Sequence, residues 1–246
     1  MTNCQFKTTT FTTINELKQG PVTLTGYYQL TWDNFLLITH YDERQTFVLL
    51  QDGRRLVIDK PLKQALKDFS TINHCYQRCT IPYYDILGEK HPIRAFVAGK
   101  NLLVPSMGIQ NTEVVYYMAK PLKGHYYLDD QQEMMLLFEI GPECLNISVP
   151  AYQRKFDKIL QQADAISQMH LVELHEMEHR YGIERDCACY GNQYYERAEL
   201  TAKAFEIKRH VYGYVLNSLH ERLYGERLSE EGMERLLEIL FDTFKR

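Results

Sequence analysis

From Thr8 to about Ser148 the apolar positions fall in short runs rich in β-branched and aromatic side chains. These runs are cut by turn signals at Gly20-Pro21, Asp52-Gly53, Gly88, Gly99, Lys123-Gly124 and Gly141-Pro142. Such side chains pack well on a pleated surface, and glycine and proline interrupt it, so this half predicts a β domain. Phe35 to His40, Gln45 to Leu50 and Arg55 to Ile58 read as consecutive strands. The last two are joined through Asp52-Gly53, a pair that suits a tight hairpin. Residues 90 to 117 predict three more strands. Pro92 holds His91 extended, Gly99 and Asn101 suit a turn, and the second strand closes in Val104-Pro105-Ser106, where Pro105 has no N–H for a central ladder. One helical interruption is expected at Pro61 to Phe69. Pro61 fits a first helical turn, and Leu62, Ala65, Leu66 and Phe69 form an apolar stripe at helical spacing.

After Pro150 the period changes. Tyr152, Phe156, Ile159, Leu160, Ala163, Ile166, Met169 and Val172 recur at intervals of three and four with charges between them, which predicts a long amphipathic helix. Gly182 to Gln193 reads as a loop carrying Asp186-Cys187-Ala188-Cys189 and Gly191-Asn192. Two more helices follow, roughly Tyr195 to Leu223 and Glu230 to Phe244, the second capped by Ser229. The expected class is α+β: a mainly antiparallel β-sheet part over 1–149, then a helical region over 150–246.

Composition narrows the partners. With 45% hydrophobic and 24% charged residues in 246, the chain can build a substantial core. Its longest apolar runs, Phe35 to Ile38 and Met134 to Phe138, are far too short to cross a bilayer, and no cationic start leads into an apolar signal segment. No membrane partner is expected, and the expected location is cytoplasmic. Six cysteines (Cys4, Cys75, Cys79, Cys144, Cys187 and Cys189) lack the density of a disulfide framework, so reduced thiols acting as small hydrophobes are expected. A net charge of -4 gives no global attraction to nucleic acid, so polyanion binding would need a local basic face. Arg54, Arg55, Lys60, Lys63, Lys67, Arg78, Lys90, Arg94, Lys100, Lys120 and Lys123 are scattered in sequence. Several fall at strand ends or adjoining loops, from which they can converge on one edge.

The sharpest chemical motif is HEMEH, His175 to His179. On a helix this spacing sets two imidazoles one turn apart, able to share Zn²⁺, with Glu176 as general base and Glu199 on the following helix as a third ligand. A zinc-dependent peptidase is therefore one alternative. A long helical stretch precedes the motif, however, where zinc peptidases place a sheet edge, and Glu178 crowds a third acid into the same turn. His175 and His179 with Cys187 and Cys189 make a second, cramped, metal set. Cys75 and Cys79 beside His74 make a weak third. There is no serine nucleophile elbow and no glycine-rich phosphate loop. The expectation is a non-enzyme with no catalytic residue, no bound metal and no cofactor.

From Asp59 onward the chain resembles the ComK family of bacterial competence transcription factors. The likeness is carried by DKPLKQAL with the Tyr76-Gln77-Arg78 step, similar to the family's Tyr-x-Gly-Arg. KHPIRAFVAGKNLLVPS is similar to its Lys-x-Pro-Ile strand and its strand closing in Phe-Pro-Thr or Phe-Pro-Ser. EVVYYM, LLFEIGPECLNISV and a helix near Phe156 follow in the family's order. The likeness spans about residues 30 to 170, with Gln77 in place of Gly, Val104 in place of Phe and Tyr116 or Tyr117 in place of Trp. It implies a DNA-binding activator of competence genes that recognises AT-rich boxes through the minor groove, assembles as a homo-oligomer and is controlled by a proteolytic adaptor protein. Carried over residue by residue, Arg78 is the first DNA contact, with Lys90 and Arg94 beside it. The helical tail is then a regulatory or oligomerisation addition. A third reading is a protein-interaction module without nucleic acid.

Overall fold

The computed structural model describes residues 9–128, 132–140, 143–182 and 197–243. Strands form where apolar runs are bounded by turns, and helices form where the period lengthens. The class is α+β, with sheets before residue 150 and long helices after it. The described residues fall into two compact units, one within 1–80 and 91–167, the other within 81–90 and 168–246. The change of texture at 149/150 marks the last strand, whereas the first half of the long helix stays with the sheet unit.

Among the described residues the sheet unit holds eleven strands: β1 (Thr9–Thr13), β2 (Thr23–Thr25), β3 (Phe35–His40), β4 (Thr46–Leu50), β5 (Arg55–Ile58), β6 (Phe96–Ala98), β7 (Asn101–Pro105), β8 (Val115–Met118), β9 (Leu122–Leu128), β10 (Glu133–Ile140) and β11 (Glu143–Pro150). They form a seven-stranded sheet, β2-β5-β4-β3-β8-β7-β6, and a four-stranded sheet, β1-β11-β10-β9. All pairings are antiparallel except β1 with β11 and β2 with β5. The Asp52-Gly53 hairpin forms as expected, with Gly53 at φ 84° and Leu50 N–H donating to Arg54 O. β4 and β8 are buried at every position, so their sequences read as continuous apolar runs rather than alternating ones.

The helix expected at Pro61 to Phe69 is α2 (Leu62–Ile72), with Pro61 as its N-cap residue. It is not the only helical interruption in the β half. α1 (Ile14–Gln19) precedes it, and a 3₁₀ turn, Gln77–Thr80, follows it. α1 is too short to carry a periodic signal. A capping box holds it: Glu16 N–H donates to Thr13 Oγ1, and Thr13 N–H donates to Glu16 Oε2, while Ile14 and Leu17 are buried. α2 lays its apolar stripe on one face of the larger sheet. Phe69, fully buried, makes edge contacts with Trp32 at 4.8 Å, Phe35 at 5.6 Å and Phe96 at 5.7 Å. Phe156, near the start of the long helix α4 (Gln153–Arg180), stacks on Tyr117 of β8 at 5.3 Å and meets His125 of β9 at 5.2 Å. It thus contacts both sheets.

The helical unit comprises α3 (Ile81–Ile86), α4 from residue 168, α5 (Arg197–Tyr224) and α6 (Glu230–Thr243). α3 is a second helix missed in the sequence. α5 buries Leu200, Ala204 and Ile207, and α6 buries Leu237. Phe241 of α6 meets Phe205 and Tyr212 of α5 at 4.7 and 5.8 Å. The Ser229 cap is present, its Oγ accepting from Gly232 N–H at 3.1 Å. Cys4, the Gly141-Pro142 turn, Cys187, Cys189 and the loop from residue 183 lie outside the described residues. Among the described residues no helix is long and apolar enough to cross a membrane.

Candidate nucleic-acid interface

The sheet unit carries an open cleft of about 890 Å³ against α2. Because α2 turns Leu62 and Leu66 into the core, the neighbouring positions Lys63 and Lys67 are left exposed. They are four residues apart and so lie on one face of the helix. The segment leaving α2 brings Tyr76, Gln77 and Arg78 to the same cleft, the loop between β7 and β8 brings Ile109 and Gln110, and the end of β3 brings His40. Leu62, Leu66, Phe96, Val114 and Tyr116 form the floor.

The electrostatics are one-sided. Lys63, Lys67 and Arg78 line the cleft, and among the described residues no Asp or Glu does. Elsewhere in the β half, four basic residues are matched by carboxylates among the described residues: Arg54 with Asp52 at 2.7 Å, Lys60 with Asp68 at 2.6 Å, Lys120 with Asp33 at 3.1 Å and Lys123 with Glu139 at 3.0 Å; Arg44, Arg55 and Lys100 are not so matched, but they do not line the cleft. For Lys63, Lys67 and Arg78 there is no ion-pair partner among the described residues. Asp68, the acid on the same helix, is tied to Lys60 and accepts from Gln64 Nε2 at 2.7 Å. Burial, then the Lys18 charge, lowers the pKa of His40, although a hydrogen bond that its ring donates to the Asp42 backbone opposes this. His40 is therefore neutral at pH 7, a hydrogen-bonding group rather than a fourth cation.

The three residues expected to contact DNA separate. Arg78 is exposed and lines the cleft. Arg94 is half-buried, its Nε is enclosed without a hydrogen-bond partner, and its backbone oxygen accepts from Gln77 Nε2 at 2.8 Å. Arg94 therefore supports the segment that carries Arg78, and it does not line the cleft. Lys90 is exposed and belongs to the helical unit. Lys63 and Lys67, read as scattered charge in the sequence, are the residues that join Arg78. The signal that could have found them is their i, i+4 spacing beside the apolar stripe of α2.

In the helical unit HEMEH ends α4. Glu176 is buried, and its oxygens accept from Lys208 Nζ at 2.7 Å and Arg180 Nη2 at 2.5 Å. Burial raises its pKa, but the hydrogen bonds from Lys208 and Arg180 outweigh that and hold it below the ordinary carboxylate value. A general base needs a lone pair aimed at water, whereas these lone pairs face two cations. His175 is half-buried, His179 and Glu199 are exposed, and Glu178 is buried. Among the described residues no three His, Cys, Asp or Glu side chains gather as a metal would require. Cys75 is buried and Cys79 exposed, and burial pushes the Cys75 thiol up to about 12.

Against models of known protein families, curated proteins and solved structures, the chain finds no match.

Proposed function

We propose that this chain is a DNA-binding transcriptional activator of the competence-regulator type, acting in the cytoplasm on AT-rich duplex. The observation that carries the reading is the cleft of the sheet unit, where Lys63, Lys67 and Arg78 stand without an ion-pair partner among the described residues, in a chain of net charge -4. Unpaired cations on one rim suit a phosphate backbone, since each phosphate neutralised releases a condensed counterion. AT-rich DNA adds a narrow minor groove whose negative potential attracts arginine and lysine, so preference follows DNA shape more than base contacts. The sequence resemblance supports the same reading and the same residue, Arg78.

Assembly as a homo-oligomer belongs to this reading. Its support is a stripe on α5, Tyr212, Val215, Leu219 and Leu223, all exposed and spaced by three and four. That spacing lets two identical helices interdigitate along an apolar seam.

Fluorescence anisotropy tests the DNA reading, with an AT-rich and a GC-rich duplex titrated across a salt series. Arg78→Ala and the pair Lys63→Ala with Lys67→Ala should weaken binding on both sequences, and each lost phosphate contact should flatten the log–log salt slope by about 0.9. Affinity and slope unchanged in both variants would sink the proposal.

A further inference from the structure

Phosphate contacts explain the rim of the cleft and leave its floor unexplained. Duplex DNA is read by elements that protrude into its grooves. Here the surface is concave. Its volume of about 890 Å³ lies in the range of sites that enclose a small molecule, roughly 300–1,000 Å³. Leu62, Leu66, Phe96 and Tyr116 are buried beneath it. Tyr76, 45% exposed, and Ile109, 59% exposed, flank it.

These features restrict the occupant step by step. Three cations with no carboxylate select an anion. The apolar floor and the Tyr76 ring select one with a flat or apolar body, and the neutral His40 imidazole and the Gln110 amide add groups that can hydrogen-bond a polar edge. An unpaired nucleotide has all of these parts: a phosphate, a base face and a base edge. Cationic grooves interleaved with aromatic side chains are how single strands are held without strict sequence preference. Lys63 and Lys67, one helical turn apart on one face, are placed to hold neighbouring phosphates of a single strand.

We infer that the cleft holds an unpaired stretch of DNA strand, a base lying over the apolar floor against Tyr76 with its phosphates on Lys63, Lys67 and Arg78. The inference rests on the DNA reading above and deepens it, because the preferred ligand becomes DNA that is open or easily opened. A base inside a duplex has both faces stacked and must leave the stack to reach the floor. Pyrimidine–purine steps such as TA unstack most readily, which favours AT-rich sites.

The test uses the full chain and three labelled probes of one AT-rich sequence: the intact duplex, the same duplex with a short mismatched bubble, and the single strand. Bubble and single strand should bind at least about fivefold tighter than the intact duplex, the least that one stacked base supplies. Tyr76→Ala should lower affinity for the two open probes by a similar factor and for the intact duplex by less, whereas Tyr76→Phe keeps the preference. Thermal melts check that both variants fold. Equal affinity for all three probes, or a Tyr76→Ala protein that binds single strand as wild type does, overturns the inference and leaves the duplex reading standing. No binding to any probe overturns both. If calorimetry then finds a medium-chain fatty acid bound instead, the cleft belongs to a small amphipathic anion.

Discussion

Two half-buried ionisable residues in the helical unit respond to pH with opposite roles. His170 packs edge-on against Tyr83, ring centroids 4.6 Å apart, and burial pushes its pKa down to about 4 from 6.5. A histidine whose folded pKa is depressed is kept neutral by the fold, so the unfolded chain binds the extra proton. Stability is therefore full above about pH 6.5 and falls as pH drops through 6.5 towards 4, by up to about 3 kcal/mol. Glu173, whose oxygens accept from Tyr83 Oη at 3.3 and 3.4 Å, works the other way. Burial raises its pKa, so its contribution improves as pH falls. His170→Phe isolates the histidine: its melting temperature should be nearly flat across the upper part of that window, where wild type declines. Glu176 supplies the second prediction. Removing it takes from Lys208, whose side chain is 21% exposed, its hydrogen-bonded carboxylate and leaves only the more distant Glu173 charge. Glu176→Ala should cost about 3–5 kcal/mol in denaturant unfolding, while replacing Glu176 and Lys208 together by leucine should recover most of the loss. A catalytic base would instead tolerate substitution in stability and lose only activity.

At the scale of elements, α2 links core to cleft. Its inner stripe is the part most legible in the sequence, because four apolar residues at helical spacing behind Pro61 admit one geometry. Phe69 anchors that stripe among three aromatic rings. Phe69→Ala should destabilise the sheet unit by about 3–5 kcal/mol, since the rigid sheet beneath it cannot close the cavity. Trp32, the single tryptophan, touches Phe69 and is a built-in fluorescence probe for the measurement. The strand pair around Asp52-Gly53 and the two helices after residue 196 were legible for the same reason: strong period and strong punctuation. α1, α3 and the 3₁₀ turn at Gln77 were not. Each spans six residues or fewer, so no periodic signal accumulates, and what holds α1 is a reciprocal cap between Thr13 and Glu16. The parallel pairing of β1 with β11 was equally hidden, because its partners lie at opposite ends of the sheet unit's sequence.

At the scale of the molecule, a chain of net charge -4 presents a cleft whose charges, among the described residues, are all positive, and its composition hides the fact. Arg78 was singled out in the sequence by a resemblance, and the cleft sets it beside Lys63 and Lys67, which arrive from another element and were indistinguishable from solubilising charge. On the proposed DNA reading, net repulsion would have to be overcome by these few local contacts, so affinity should depend strongly on ionic strength and on how many copies bind together. On the proposed reading the α5 stripe would set that number. Leu219 and Leu223 are 51% and 74% exposed, a position that a soluble helix normally gives to polar residues. Two copies joined there would engage two rims on one DNA molecule, and the phosphate contacts would add. Wild type should then sediment as an oligomer, and its salt slope on DNA should be about twice that of a monomeric variant. Leu219→Glu places a charge in the middle of the seam and should give that monomer, with its fold and its single-rim binding intact. Sedimentation of Leu219→Glu at the wild-type rate would remove the stripe as the interface, and an unchanged slope in a proven monomer would show that each copy meets DNA alone.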